Sequence, residues 1–244
     1  MLSKEMQRSF QVDDGGVHVW VASGMRSDVH DRKLDQIADR MMSTPERERA
    51  SSFVFEQDRH AYIASRVVLR QLLGGVLGMD PASVELEADA NGKPRLKGDA
   101  VRFNLSHSGD LLLLALTREC DLGIDVECCR PLEALELSRR FFCAEEADWI
   151  ESLAGSRRIA AFFRLWTLKE AYLKAIGKGL SHPLDEVPVM GLCGEGKLLR
   201  RTCLPSLPGW TWVDVPVADP YVAALCHDGG DVRVSIHEWK GVVA

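Results

Sequence analysis

Hydrophobic and polar residues alternate along Val17-His18-Val19-Trp20-Val21, the period of a strand. Pro45-Glu46-Arg47-Glu48-Arg49 then reads as a helix start with acids in its first turn. Over residues 58–77 the apolar positions Ile63, Val67, Leu69, Leu72, Leu73 and Val76 recur at helical spacing, and Gly78 supplies a stop. Asn91-Gly92 is a two-residue turn signal; Lys93-Pro94-Arg95-Leu96 follows, and then the strand-like run 101–105. Ser106-His107-Ser108-Gly109-Asp110 reads as a polar turn. Residues 111–117 and 122–127 read as two buried strands separated by the charged stretch Arg118-Glu119-Cys120-Asp121, so the middle of the chain is expected to be a sheet. Helical periodicity returns over 133–153 and 158–176, the latter ending at Gly177. Strand alternation resumes over 210–217, 221–225 and 232–239. The order of strand, helices and strands occurs twice, which gives an α+β class and suggests two similar halves, although no residue-level repeat is visible.

Composition narrows the classes. With 244 residues and 46% hydrophobic content, the chain can bury one large core or two small ones, and no Gly/Ser linker separates the halves. A net charge of -6 argues against tracking a nucleic-acid backbone, so an anionic ligand would need a local basic pocket. The pairs Arg139-Arg140, Arg157-Arg158 and Arg200-Arg201 have the ordinary reading of solvated faces. Seven cysteines without a Cys-x-x-Cys pair suit reduced thiols. Met1-Leu2-Ser3-Lys4-Glu5 is not the start of an apolar leader, and the run 111–116 is too short to span a bilayer. A cytoplasmic protein that does not span a membrane is the expectation.

Candidate chemistry sits in four short segments. In Gly123-Ile124-Asp125-Val126-Glu127, strand alternation sends both carboxylates to one face, where they repel unless a hard cation lies between them. Oxygen ligation of that kind suits Mg2+ or Mn2+ better than zinc, while the ordinary alternative is an exposed acidic strand face. Trp166, Glu170 and Lys174 are spaced by four and share a helical face. Glu170 would supply a third oxygen and Lys174 a cation for a bound anion; the alternative is an ordinary Glu-Lys helix pair. Ser106 and His107 in their turn, and Lys93 after Asn91-Gly92, are either phosphate contacts or plain surface residues. Together the four describe a metal-assisted reaction on a pyrophosphate-like substrate. No phosphate-binding Gly-x-x-x-x-Gly-Lys-Ser/Thr loop, Gly-x-Ser-x-Gly or His-Glu-x-x-His occurs.

These segments resemble the Sfp-type phosphopantetheinyl transferases. The likeness rests on Gly92-Lys93-Pro94, Phe103-Asn104-Leu105-Ser106-His107-Ser108, Gly123-Ile124-Asp125-Val126-Glu127 and Trp166-Thr167-Leu168-Lys169-Glu170-Ala171-Tyr172-Leu173-Lys174, in that order, extended by Gly177-Lys178-Gly179-Leu180 and Pro183-Leu184. The resemblance implies an α+β pseudo-dimer, drawn here as an N-terminal half over 1–119 and a C-terminal half over 120–244, with the active site and coenzyme A in the cleft between them. It implies Asp125, Glu127 and Glu170 as Mg2+ ligands, with Mn2+ as the alternative. It further implies Lys174 as the cation on the pyrophosphate, and Arg47, Lys93, Ser106 and His107 as coenzyme A contacts; a second basic position beyond Arg47 is Ala50 here, for which Arg59 or Arg66 would compensate. The implied reaction moves phosphopantetheine from coenzyme A to a serine of an acyl or peptidyl carrier protein, with Asp125, Glu170 and Lys174 in the catalytic set and Glu170 as ligand, base or both. A monomer is the expected state, and Arg139, Arg140, Phe141 and Phe142 are the expected carrier-docking patch. Two rivals stay open: a non-catalytic binding module, against which the intact acid cluster speaks, and a nucleotide-pyrophosphate hydrolase.

Overall fold

A computed structural model describes residues 16–25, 32–89, 92–179, 182–194, 197–198 and 201–239. Met1 to Glu5, Asn91, Leu180 and Arg200, which figured in the sequence reading, lie outside the described residues. In chain order the elements are β1 (Gly16–Ala22), α1 (Arg32–Met41), α2 (Thr44–Ser51), α3 (Glu56–Leu77), β2 (Leu86–Ala88), β3 (Pro94–Leu96), β4 (Arg102–Ser108), β5 (Leu111–Thr117), β6 (Leu122–Cys128), α4 (Ala134–Phe141), α5 (Ala144–Ser152), α6 (Ser156–Ala175), β7 (Cys193–Gly194), β8 (Lys197–Leu198), β9 (Arg201–Leu204), β10 (Leu207–Asp214), β11 (Tyr221–His227) and β12 (Arg233–Glu238).

Two four-stranded sheets organise the chain, in the orders β12-β1-β5-β4 and β6-β11-β10-β9. The expectation that 111–117 and 122–127 form one sheet is corrected: β5 lies in the first sheet and β6 in the second. Alternation then assigns each side chain to a layer. Trp20, Leu112, Leu114 and Leu116 join the core under α3, whereas Val17, Val19, Leu113 and Ala115 pack with Ile124, Val126, Ala223 and Leu225 between the sheets. Trp212, Ala224 and Cys226 face the other way, onto Leu165, Leu168 and Leu173 of α6. The order is helices, sheet, sheet, helices. The chain passes between the sheets twice, once between β5 and β6 and once between β11 and β12, because β12 pairs parallel with β1. None of the described helices is long and apolar enough to cross a membrane.

The two halves share a device that residue identity conceals. In the first, Glu46 accepts from the Ser43 backbone N–H at the start of α2 (2.8 Å) and pairs with buried Arg70 of α3 (2.8 Å), whose guanidinium also donates to the carbonyls of Pro81 and Val84. In the second, Glu146 accepts from Cys143 N–H at the start of α5 (3.3 Å) and pairs with Lys169 of α6 (2.7 Å), which donates to the carbonyls of Leu184 and Val187. Each cation thus ties the long helix to the short helix before it and the loop after it. Lys169 and Glu146 are both 0% exposed, so neither charge is tolerable without the other.

The helical reading of 133–153 is also corrected. Phe142 and Cys143 are extended, with ψ of 162° and 161°, which divides the run into α4 and α5. Phe142 turns inward to stack on Phe162 with centroids 5.2 Å apart, and Glu146 restarts the helix by capping Cys143. Of the expected docking patch, Arg139 and Arg140 are exposed, with Arg139 donating to Asp148 (2.7 Å) and to Glu151, whereas Phe141 is partly buried and Phe142 buried.

Lys169→Met strands a buried carboxylate and is expected to lower unfolding free energy by about 3–5 kcal/mol in urea titrations. The double variant Lys169→Met/Glu146→Met should recover part of that loss. A single variant within about 1 kcal/mol of wild type would show that the pair carries no such weight.

Candidate active site

The site is assembled where β6 lies against α6. Gly123, Asp125 and Glu127 alternate onto the face turned towards that helix, as the sequence pattern requires. The approach is close: a Cβ at Gly123 would lie 2.1 Å from the Ala171 carbonyl oxygen and 2.3 Å from the Ala175 nitrogen, so no larger residue fits without moving backbone. One strand position further, Asp125 meets Lys174, whose ammonium donates to Asp125 Oδ1 (2.7 Å), Ser106 Oγ (2.9 Å) and the Ile124 carbonyl (3.3 Å). Glu170, one helical turn before Lys174, is buried on the same side.

Ser106, His107 and Ser108 do not form a turn, as their polarity suggested, but the end of β4; the turn is confined to Gly109 and Asp110. The reason is the second sheet. Asn104 Oδ1 accepts from the backbone N–H of Ile124 (2.9 Å), Ser106 Oγ from Val126 (3.4 Å) and Ser108 Oγ from Cys128 (3.1 Å). Three alternate side chains of β4 therefore satisfy three alternate N–H groups on the free edge of β6. The serine hydroxyls donate in turn to Asp125 Oδ1 (2.8 Å) and Glu127 Oε2 (2.9 Å). Sequence reasoning gave Asn104 and Ser108 no role of their own, because Asn104 was read as part of a strand and Ser108 as part of a turn, and neither reading shows the second sheet they serve.

Charge is concentrated and incompletely balanced. Burial pushes the Glu170 carboxyl up to about 7, helped by Asp125 and Glu127 and opposed by Lys174. Burial also raises Glu127, with Asp125 adding to the effect and the Ser108 hydrogen bond opposing it. Asp125 Oδ2 and Glu170 Oε1 are buried without any hydrogen-bond partner. Orphaned oxygens of this kind call for an ion or water, and an all-oxygen set beside a lysine suits a hard divalent cation. Among the described residues no three His, Cys, Asp or Glu side chains close around an ion by themselves. The carboxylates form an open arrangement, which suits a cation that keeps waters and takes further ligands from substrate phosphate.

The remaining candidates are dispersed. Lys93 reaches across from the β2–β3 hairpin to the carbonyls of Lys174 (2.5 Å) and Leu122 (3.4 Å); burial lowers its pKa. It lines a cavity of about 550 Å³ with Arg95, Arg102, Asp121 and Trp210. His107 is exposed and lies on the opposite face of β4 from Ser106. Arg47 lines a separate cavity of about 280 Å³, its guanidinium donating to the Met42 carbonyl and to Thr44 Oγ1 (3.1 Å). Arg59 is held by Asp35 (2.6 Å) and Glu56 (2.8 Å). Arg49 and Arg66 instead cover an aromatic pair: each guanidinium carbon stands 5.1 Å from a ring centroid, of Phe53 and Tyr62 respectively, and the two rings are 5.3 Å apart.

Comparison with known proteins agrees on one relationship. A family model described as the 4'-phosphopantetheinyl transferase superfamily matches residues 121–226, and one described as 4'-phosphopantetheinyl transferase, N-terminal, matches 31–119. The chain is 35% identical over 218 residues to the 4'-phosphopantetheinyl transferase HetI of Nostoc sp., covering 87% of this chain and 88% of that one. It is 33% identical over 203 residues to the 4'-phosphopantetheinyl transferase Sfp of Bacillus subtilis, covering 80% and 88%. Similarity extends to the L-aminoadipate-semialdehyde dehydrogenase-phosphopantetheinyl transferase of Mus musculus, 32% identical over 184 residues and covering 69% and 60%.

The raised Glu170 carboxyl fixes the sign of a pH effect. In the folded, metal-free protein this group keeps its proton up to about 7, whereas the unfolded chain releases it near 4.5. Its contribution to stability is therefore full below about 4.5 and lost as pH rises towards 7, by at most roughly 3 kcal/mol. In EDTA, wild type is expected to lose more unfolding free energy than Glu170→Gln between pH ~5 and pH ~8. Equal pH slopes for the two proteins would refute the assignment.

Proposed function

The chain belongs to the 4'-phosphopantetheinyl transferase superfamily, and from that premise we propose that it transfers the phosphopantetheine group of coenzyme A to a serine of an acyl or peptidyl carrier protein, releasing 3',5'-ADP. The observation that carries this reading is the pair of orphaned buried oxygens, Asp125 Oδ2 and Glu170 Oε1, beside the Lys174 ammonium. Asp125, Glu127 and Glu170 would hold Mg2+, or Mn2+ in its place. When bound, such an ion supplies positive charge to the pyrophosphate and to the departing oxygen.

This chain's own residues do the rest. Lys174, anchored by Ser106 and the Ile124 carbonyl, holds a positive charge beside the acid cluster, where it favours the 5'-phosphate oxygen of the departing 3',5'-ADP. Glu170, as ligand, base or both, would accept the proton of the carrier serine as its oxygen attacks the β-phosphate. Lys93, though tied to the Lys174 carbonyl, lies beside the 550 Å³ cavity between the halves, which suits part of coenzyme A. For the nucleotide phosphate, Arg47 beside the cavity of about 280 Å³ would be the first cation, with Arg59 or Arg66 as the second. Residues 1–119 and 120–244 serve as the two halves, with β12 returning to brace the first. A cytoplasmic monomer fits the free thiols of Cys120, Cys128, Cys129 and Cys143 and a cleft completed within one chain.

Incubation of an apo carrier protein with coenzyme A, Mg2+ and this protein should add one phosphopantetheine mass to the carrier, seen by intact-mass spectrometry and abolished by EDTA. Glu127→Gln and Lys174→Ala should keep the wild-type circular dichroism spectrum while losing transfer by about 10²-fold or more. Retained turnover in both would overturn their roles. Release of 3',5'-ADP without carrier modification would instead identify a hydrolase, and coenzyme A binding without either product a binding module.

A further inference from the structure

The side chains joining β4 to β6 do two things with one atom. Ser108 Oγ accepts from Cys128 N–H (3.1 Å), which completes the edge of β6, and donates to Glu127 Oε2 (2.9 Å). A hydroxyl has one proton, so donation to Glu127 leaves it only lone pairs for the backbone, and the two contacts fix its rotamer together. Ser106 repeats the arrangement one pleat earlier, accepting from Val126 N–H and donating to Asp125. Ser106 also accepts from Lys174, whereas Ser108 serves Glu127 alone among the site's carboxylates.

The position of Ser108 is itself enforced. The next residue, Gly109, has φ of +56°, and a Cβ there would stand 2.7 Å from the Tyr221 hydroxyl oxygen. That oxygen accepts from Asp110 N–H (3.0 Å), and Tyr221 lies opposite Cys128 in the β11–β6 register. A closed ring therefore runs from Ser108 through the Gly109–Asp110 turn to Tyr221 of β11, across to Cys128 of β6, and back. Glu127 is the least buried of the three carboxylates and the last before the strand ends. Of the three, it has most need of a fixed partner.

We propose that Ser108 is a positioning residue that sets the orientation of the Glu127 carboxylate for divalent-cation binding, and that it does so from the opposite sheet. The proposal rests on the reading of Asp125, Glu127 and Glu170 as the cation's ligands. Partners that orient a ligating carboxylate typically contribute 10–100-fold in metal affinity.

The test is Mn2+ binding to the full chain without coenzyme A, followed by electron paramagnetic resonance of the free ion. Ser108→Ala should weaken binding by about tenfold, as should the near-isosteric Ser108→Cys, while Ser108→Thr, which keeps the hydroxyl, should stay within about threefold of wild type. In a Glu127→Gln background, Ser108→Ala should cost less than about twofold, because its effect passes through that carboxylate. Wild-type affinity in folded Ser108→Ala or Ser108→Cys, or an undiminished cost in the Glu127→Gln background, would overturn the proposal while leaving the ligand set intact. Failure of the wild-type chain to bind Mn2+ would remove the ligand reading itself, and the proposal with it.

Discussion

The edge of β6 is the constraint on which the site depends. An edge strand at a buried junction has N–H groups that must find acceptors, and a second strand would ordinarily supply carbonyls. Here Asn104, Ser106 and Ser108 supply side-chain oxygens instead. The substitution lets two sheets meet at an angle without becoming one sheet. It also brings hydroxyl protons to the carboxylates at alternate positions of β6, which a backbone ladder would leave unserved. The polar seam between the halves and the acid cluster therefore share Ser106 and Ser108.

Burial then gives the cluster its chemistry. Asp125 and Glu170 are each less than a tenth exposed, and Lys174 can neutralise only part of the charge they share with Glu127. One consequence is a Glu170 carboxyl near neutrality; another is a pair of oxygens with nothing to accept from. Both express a deficit of positive charge. A hard cation with phosphate on its far side is the simplest way to remove it, because the arrangement is open where a closed structural metal site would be complete.

The sequence made the acid cluster legible because strand and helix periods alone place Asp125 with Glu127, and Glu170 with Lys174. It made the two-half architecture legible only as an order of elements. The deeper repeat, a buried cation linking a capping glutamate to two loop carbonyls, was hidden because one half uses Ser43, Glu46 and Arg70 and the other Cys143, Glu146 and Lys169. Misreadings share a physical cause. Ser106 to Ser108 looked like a turn, and 133–153 like one helix, because composition records polarity and period but not the partner across the gap. The partner is tertiary information in every case.

The same logic bears on how the halves move. Two chain crossings, the parallel pairing of β12 with β1, and the Tyr221 contact with the β4–β5 turn all span the boundary. The apolar layer of Val19, Leu113, Ile124 and Leu225 between the sheets, together with these links, resists hinge opening. Electrostatic catalysis gains from such stiffness, since charges already fixed at the reacting centre need not be reorganised when charge develops there. Adaptation to a flexible coenzyme and a separate protein substrate then falls to the walls around the centre. The Lys93 hairpin reaches the Lys174 carbonyl at that centre, while Asp125, Glu170 and Lys174 stay in a frame set by backbone contact at Gly123.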